Sequence, residues 1–493
     1  MQQKKISKIF IVTAAVLISI FIVCKKHSED APGIAAKYYF AKGFGYSEQG
    51  SYDQAIREYT KAIDVNPRYA GAYNNRGGLY VTQGRLPQAL SDFSRAIALD
   101  PKYALAFYNR GNTYYAQNDF SKAVSDYNKA IEINPKYAEV YNKRGLVEYD
   151  QHHFAQAISD FNQAIDITPK FAEAYYGRGH VFYDQKNFAQ AIADADKAID
   201  INPKYVEAYY GRGLAYAAKR DFTRALADYS KAADLQPAFA QAYYGRGIVR
   251  FVQKDFTQAI AEYTRAIEID PRFAQAYYGR GLSFVTQENI AQAVSDFTKA
   301  IEINPKYVEA LTSRGVVYGM EGNLAQAIAD FTKAVAINPN MPVGYTNRGY
   351  AYYKQGQLDL AIADFSKAIE LKPGYAYAYY NRGNCYYDQK KFSQAIADFT
   401  KVIEINPQLP GAYYGRGIAY YRQGKIDEAA ADCNKSIEIN PGFAGSYELL
   451  AFIYFGQKEY DKVWLNIHRA EVLGFRPEKE FLDRLKRASG KEE

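Results

Sequence analysis

Proline recurs every 34 residues along this chain: Pro67, Pro101, Pro135, Pro169, Pro203, Pro237, Pro271, Pro305, Pro339, Pro373, Pro407 and Pro441. Because 12 of the 17 prolines stand on this one ladder, the period governs the whole chain and not a segment of it. Proline has no N–H and disfavours helical geometry in the residue before it, so each rung closes a helix or a turn. A second ladder runs in step. The stretch AYYGRG begins at 174, 208, 242, 276 and 412, and these starts also differ by multiples of 34. A fixed period of this size signals stacked copies of one small structural unit.

With each ladder proline at position 32, the first unit starts at Ala36 and thirteen units fill residues 36–477. Most carry an aromatic at 4, Gly at 8, aromatics at 11 and 24, and Ala at 20 and 27. Repeat 6 shows this in Tyr209, Gly213, Tyr216, Ala225, Tyr229, Ala232 and Pro237. Positions 4, 8 and 11 share one helical face, and 20, 24 and 27 share another. Each unit therefore reads as an antiparallel helical hairpin. The pattern strongly resembles the tetratricopeptide repeat family. That resemblance implies an all-α fold, an α-α superhelical solenoid. Departures are local: Glu148 and Arg250 at position 11, Ala195 and Cys433 at 24, and Ala451, Val463 and Phe475 in repeat 13.

AYYGRG occupies positions 3–8, inside the first helix. A phosphate-cradling G-x-G loop must follow a strand, and no strand signal precedes this one. An Arg-Gly nucleic-acid segment would be disordered, whereas these arginines keep a fixed helical position. A glycine inside a helix costs roughly 1 kcal/mol against alanine, so its recurrence needs a packing reason. At position 8 the expected reason is room for the large residue at 24.

Position 7 is arginine and position 23 acidic throughout repeats 2–12, as in Arg178 with Asp194 and Arg212 with Asp228. The two positions lie at one level of the hairpin. Repeat 1 keeps a pair in Lys42 and Glu58, and repeat 13 loses both charges together in Leu450 and Asn466. Structural ion pairs within each repeat are therefore expected.

The ends differ from the array. Residues 1–26 carry an apolar run from Ile9 to Cys24 behind Lys4, Lys5 and Lys8. The run reads as a signal anchor or transmembrane segment. Cleavage, or lipidation at Cys24, are the alternatives. The charge before the run places the repeats on the non-cytoplasmic side. Residues 27–35 read as a short linker, and 478–493 as a capping helix and tail in which Phe481 and Leu485 face the last hairpin. Some family members carry a catalytic domain after their repeats, and none is expected here. The net charge of +7 is too small over this length to argue for nucleic acid, which is disfavoured as a partner. Three cysteines make no disulfide framework. No catalytic constellation, metal site or cofactor is expected, His152-His153 falling in a hairpin turn.

Tyrosine remains to be explained, because 48 exceed what packing at 4, 11 and 24 requires. In the family, positions 2, 5, 9, 12 and 13 of the first helix point into a concave face. Position 5 here holds Tyr108, Tyr176, Tyr210, Tyr244, Tyr278, Tyr380 and Tyr414, and position 12 holds Tyr115, Tyr149, Tyr183, Tyr353, Tyr387 and Tyr421. Glu173 and Glu207 lie beside them at position 2. These residues are the candidate partner-binding groove, with padding between repeats as the competing reading. Tyr176, Tyr210, Tyr244 and Tyr278 are expected to be substantially exposed, with glycine at position 6 leaving room for the ring or for a bound backbone. The expected partner is an extended, neutral-to-basic protein or peptide segment. The alternative is a polysaccharide-handling scaffold with tyrosines stacked on sugars. The family's clamp for acidic tails needs lysine at position 5, and no repeat has it.

Overall fold

The computed structural model describes residues 31–490, and the expected anchor over 1–26, with Cys24, lies outside them. The described residues form 27 α-helices and no strand. They divide into two compact units, one ending at Val249 and the other beginning at Arg250. Within each unit the chain repeats one hairpin. In repeat 5 the first helix is Ala172–Asp184 and the second Phe188–Ile201. The second helix stops at Ile201 because Asn202, ahead of Pro203, takes an extended backbone (φ −129°, ψ 90°). The opening helix runs Ala31–Glu48, so the stretch read as a linker is partly helical. Pro32 in its first turn is tolerated there, since that N–H has no intrahelical partner.

The turn inside every hairpin has one backbone solution. Position 15 is left-handed in all thirteen repeats. Glycine stands there at Gly50, Gly84, Gly322, Gly356 and Gly424, while residues such as Lys186 (φ 60°) and Arg220 (φ 61°) adopt it elsewhere. His152 is one of these, and its neighbour His153 lies 2.8 Å from Glu148, the acid that replaces an aromatic at position 11.

The core is built on the ring at position 24. Tyr59, Phe93, Tyr127, Phe161, Tyr229, Phe297, Phe365 and Phe399 are all fully buried, and the alanines at 20 and 27 beside them are closed to solvent. Burying one such ring contributes about 1.5–3 kcal/mol. The rings at 4 and 11 are mostly only half-buried and flank the arginine at 7 instead. Arg382, for example, sits 5.5 Å from the Tyr379 centroid and 5.7 Å from that of Tyr386.

Core rings take their space from the glycine at position 8 of their own repeat and, where position 6 of the next repeat is also glycine, from a second one. A Cβ on Gly145, position 8 of the same repeat, would lie 3.0 Å from the Phe161 ring. A Cβ on Gly177, position 6 of the next repeat, would lie 2.6 Å from it. Gly213 and Gly245 hold Tyr229 in the same way, and Gly383 and Gly415 hold Phe399. Most glycines of the AYYGRG stretches are thereby explained as seats for rings of the second helices on either side, with Gly179, Gly211 and Gly417, which flank Ala195 and Cys433, as exceptions. At position 6 the room goes to the core ring of the preceding repeat at Gly177, Gly245, Gly279 and Gly415, and to the groove ring Tyr176 at Gly211.

The last helix, Lys479–Ser489, puts Phe481 and Leu485 against Ala451, Val463 and Ile467 of repeat 13. Cys385 and Cys433 are buried free thiols, and burial pushes both up to about 12.

Candidate partner-binding groove

The first helices of successive repeats approach one another within each unit, as Ala138–Asp150, Ala172–Asp184 and Val206–Ala218 do. The second helices pack chiefly against the first helices on either side of them. The face built from first helices is therefore the crowded inner one, where helical rows at positions 2, 5, 9, 12 and 13 come side by side.

Arginine at position 7 stands behind this face and ties it together. Arg178 donates from Nε and Nη2 to the two carboxylate oxygens of Asp194 at 2.8 and 2.7 Å. Its Nη1 reaches back to Asn162 of the preceding repeat at 2.5 Å. Arg212 repeats this with Asp228 and, across the junction, Asp196. Repeats 2–4 and 8–12 show the same fork, with Ser, Thr or Asn at position 25 taking the third bond, as in Arg110 to Ser94 and Arg314 to Thr298. One guanidinium thus closes its own hairpin and fastens it to the last. Burial and hydrogen bonding pull these groups in opposite directions. Desolvation holds Asp228 above the usual carboxylate range, while the bond to Asp228 raises Arg212. The planar two-point contact keeps the pair charged.

The candidate groove tyrosines are neither free nor fully buried. All of Tyr108, Tyr115, Tyr149, Tyr176, Tyr183, Tyr210, Tyr244, Tyr278, Tyr353, Tyr380, Tyr387, Tyr414 and Tyr421 are half-buried. The expectation that Tyr176, Tyr210, Tyr244 and Tyr278 stand substantially exposed is corrected. Position 5 leans across the junction toward the residue at 34, as Tyr176 does on Tyr205 (5.3 Å between centroids) and Tyr278 on Tyr307 (5.1 Å). Burial raises Tyr176 to about 12 and moves Tyr210 upward too. Tyr278 belongs to the second unit, so the first three rings of the expected stripe share one unit.

Position 12 has a partner that sequence reading missed. Tyr115 donates its hydroxyl to Asp150 at 2.6 Å, and Tyr149 donates to Asp184 at 2.7 Å. In the second unit Tyr353 bonds Asp388, and Tyr387 accepts from Arg422 at 3.2 Å. Each pairing joins position 12 to position 13 of the next repeat. The signal was present as a fixed separation of 35 residues between tyrosine and a charged partner. Tyr149 also meets His180 at 3.2 Å. Burial lowers the His180 pKa, opposed by Asp184.

What faces solvent along this wall is charge. Glu139, Asp150, Glu173, Asp184 and Glu207 are exposed in repeats 4–6, and Lys354, Asp388 and Arg422 in repeats 10–12. No cluster of metal-ligating side chains occurs among the described residues, and no helix there is long and apolar enough to cross a membrane.

Family models agree with this architecture. Those described as tetratricopeptide repeat match residues 274–307, 376–409, 410–443, 142–206, 207–272 and 297–329. One described as TPR repeat matches 46–84, 77–117, 111–152, 320–356 and 349–390. No curated protein matches the chain. Among solved structures it is similar to a tetratricopeptide repeat protein from Parabacteroides merdae ATCC 43184, at 21% identity over 51% of this chain and 99% of that one, with a TM-score of 0.43. It is also similar to YrrB, described as a TPR protein with an unusual peptide-binding site, at 27% identity over 37% of this chain and 95% of that one, TM-score 0.33. Yeast Tom70 overlaps at 17% identity over 86% of this chain and 96% of its own, TM-score 0.34. Overlaps at these TM-scores carry no argument about the groove. The 34-residue hairpins and the model matches, which together run through most of residues 46–443, make this chain a member of the tetratricopeptide repeat family.

Proposed function

We propose that this protein is a non-enzymatic scaffold that holds an extended, neutral-to-basic protein segment against the first-helix face of its repeats. The observation carrying this reading is the exposed acidic row Glu139, Glu173 and Glu207 in repeats 4–6, beside half-buried tyrosines whose orientation is set by their neighbours. Rigid amphipathic rings give contact area at little entropic cost, and a carboxylate beside each favours a cationic partner. Stacking on sugars calls for open ring faces. These rings are packed against neighbouring repeats, which favours a protein segment over a polysaccharide. The lysine-flanked apolar run before the array supports a membrane anchor with the repeats on the non-cytoplasmic side.

Binding of basic and acidic extended peptides to the full chain in detergent tests the groove. Basic peptides should bind and weaken as salt rises, and Glu173→Gln with Glu207→Gln should weaken them further. Equal binding of acidic peptides, or capture of glycans alone, would overturn the reading. Protease added from the non-cytoplasmic side should digest the repeats of membrane-bound protein. Quantitative recovery in the cytosolic soluble fraction would refute the anchor.

A further inference from the structure

The first-helix face of the second unit changes character at repeats 9 and 10. Position 5 is tyrosine at Tyr278 and Tyr380, but Thr312 and Thr346 between them. Position 12 is tyrosine at Tyr353 and Tyr387, but Gly319 in repeat 9, where a Cβ would meet nothing within 4 Å. Both threonine hydroxyls donate to their own helices, to the carbonyls of Val308 and Pro342 at 2.8 and 2.9 Å. The rings that line the wall elsewhere are absent, and the hydroxyls in their place are already bonded.

Apolar side chains stand open around this stretch. Val316 and Met320, one turn apart at positions 9 and 13, are 42% and 73% exposed. Val343 at position 2 is 47% exposed, and Tyr350 at 9 and Tyr377 at position 2 of repeat 11 are exposed as well. Positions 2, 9 and 13 share one helical face. The first helices Val308–Met320, Pro342–Lys354 and Ala376–Asp388 adjoin in turn. Single exposed apolar residues are ordinary on a surface, but neighbours on one face mark a place of contact. Charge is sparse here. Repeats 9 and 10 place only Glu309 and Lys354 at positions 2, 5, 9, 12 and 13, and Lys354 Nζ lies 5.5 Å from the Tyr350 ring centroid.

A free amide points to what covers the face. Asn347, at position 6 of repeat 10, is half-buried, and its side chain bonds no group among the described residues. Its counterpart Asn75 in repeat 2 donates to the Tyr59 hydroxyl at 3.3 Å. The ring in that place for Asn347 is Phe331, which has no hydroxyl. A side-chain amide offers the donor and acceptor that a peptide backbone matches. An acyl chain lying there would leave both unbonded.

We propose that repeats 9–11 dock an uncharged, apolar stretch of an extended protein segment, an inference that rests on the groove reading above and names what the second unit takes. Its side chains cover Val316, Met320, Val343 and Tyr350 where the rings are missing, and its backbone bonds the Asn347 amide.

The test uses the full chain in phospholipid nanodiscs, without free detergent to coat the patch, and subtracts binding to empty discs. Two fluorescein-labelled peptides share a serine–glycine background, one with leucine at alternate positions and the other with serine there. The wild type should bind the leucine peptide about tenfold more tightly. Met320→Ser with Val343→Ser alters only exposed side chains, so helicity and melting should hold while the preference falls to within about twofold. If that pair loses helicity, Met320→Gln alone replaces it, with a drop of about threefold expected. Backbone N-methylation of the leucine peptide should weaken binding to the wild type about threefold and leave binding to Asn347→Ala unchanged. A leucine preference that is absent from the wild type, or that survives in the folded variants, overturns the patch. Pairing of discs through two chains, lost in the same variants, would assign the face to a second copy and overturn the peptide reading. Either result with basic-peptide binding intact leaves the groove standing, whereas a wild type that binds neither basic nor leucine peptide overturns both.

Discussion

Arg178 and Asp194 meet through two parallel hydrogen bonds of 2.8 and 2.7 Å, both residues lying at the same level of one hairpin. The carboxylate is almost closed to solvent, and the guanidinium mostly so (side chains 8% and 21% exposed). Asp194→Ala leaves that guanidinium with one neutral acceptor, Asn162, and should destabilise the unit by about 2 kcal/mol. A double-mutant cycle with Arg178→Ala, read by denaturant unfolding, should return a coupling above about 1 kcal/mol. A coupling near zero would show that the bidentate contact adds nothing.

The two-glycine seat predicts a contrast between similar substitutions. Gly213→Ala would push a Cβ to 2.6 Å from the buried Tyr229 ring and should destabilise by about 1–3 kcal/mol. Gly179→Ala meets no ring, only Asp194 Cβ at 3.2 Å and the Ala191 carbonyl at 3.3 Å, and gains helix propensity. Its cost should be the smaller of the two, below about 1 kcal/mol. Thermal melts of the two variants decide it, and equal losses would contradict the seat.

Left-handed turns at position 15 offer stabilising changes. Arg220 holds φ at 61°, where an L side chain costs roughly 1–2 kcal/mol and glycine nothing. After the added chain entropy of glycine, Arg220→Gly should gain up to about 1 kcal/mol. A lowered melting temperature would contradict it.

His180 links stability to pH. Its pKa falls on folding below the ordinary 6.5, chiefly through burial beside Tyr149 and Tyr176, with Asp184 opposing. A depressed folded value contributes stability that is present in full above the unfolded pKa. It is lost as pH falls below 6.5 and through the folded value. His180→Gln, which keeps an acceptor for the Tyr149 hydroxyl, should therefore lose less melting temperature than wild type between pH 7.5 and 5. Parallel pH profiles would show that His180 does not titrate on unfolding.

Much of this was legible in the sequence because the fold is local and periodic. The prolines, the alanines at 20 and 27 and the spacing of 4, 8 and 11 state a helical hairpin over and over. Stacking such hairpins is the only way to bury their apolar faces. The pairing of positions 7 and 23 at one level follows from the same register.

Only the tertiary structure decided what lies 16 residues away in each direction. Within each unit, second helices such as Phe154–Ile167 are wedged between the first helix of their own repeat and that of the next. Phe161 therefore stands 16 residues after Gly145 and 16 before Gly177, touching the space of both, and Arg178 bonds Asp194 ahead and Asn162 behind. A linear pattern shows both separations and cannot say which contacts form, because that depends on how two rigid hairpins tilt together. The same tilt turned the tyrosines at position 5 onto their neighbours instead of into solvent. It also let Tyr176 lean toward Gly211 where Ala195 supplies no ring, a Cβ on that glycine meeting the tyrosine edge at 3.2 Å.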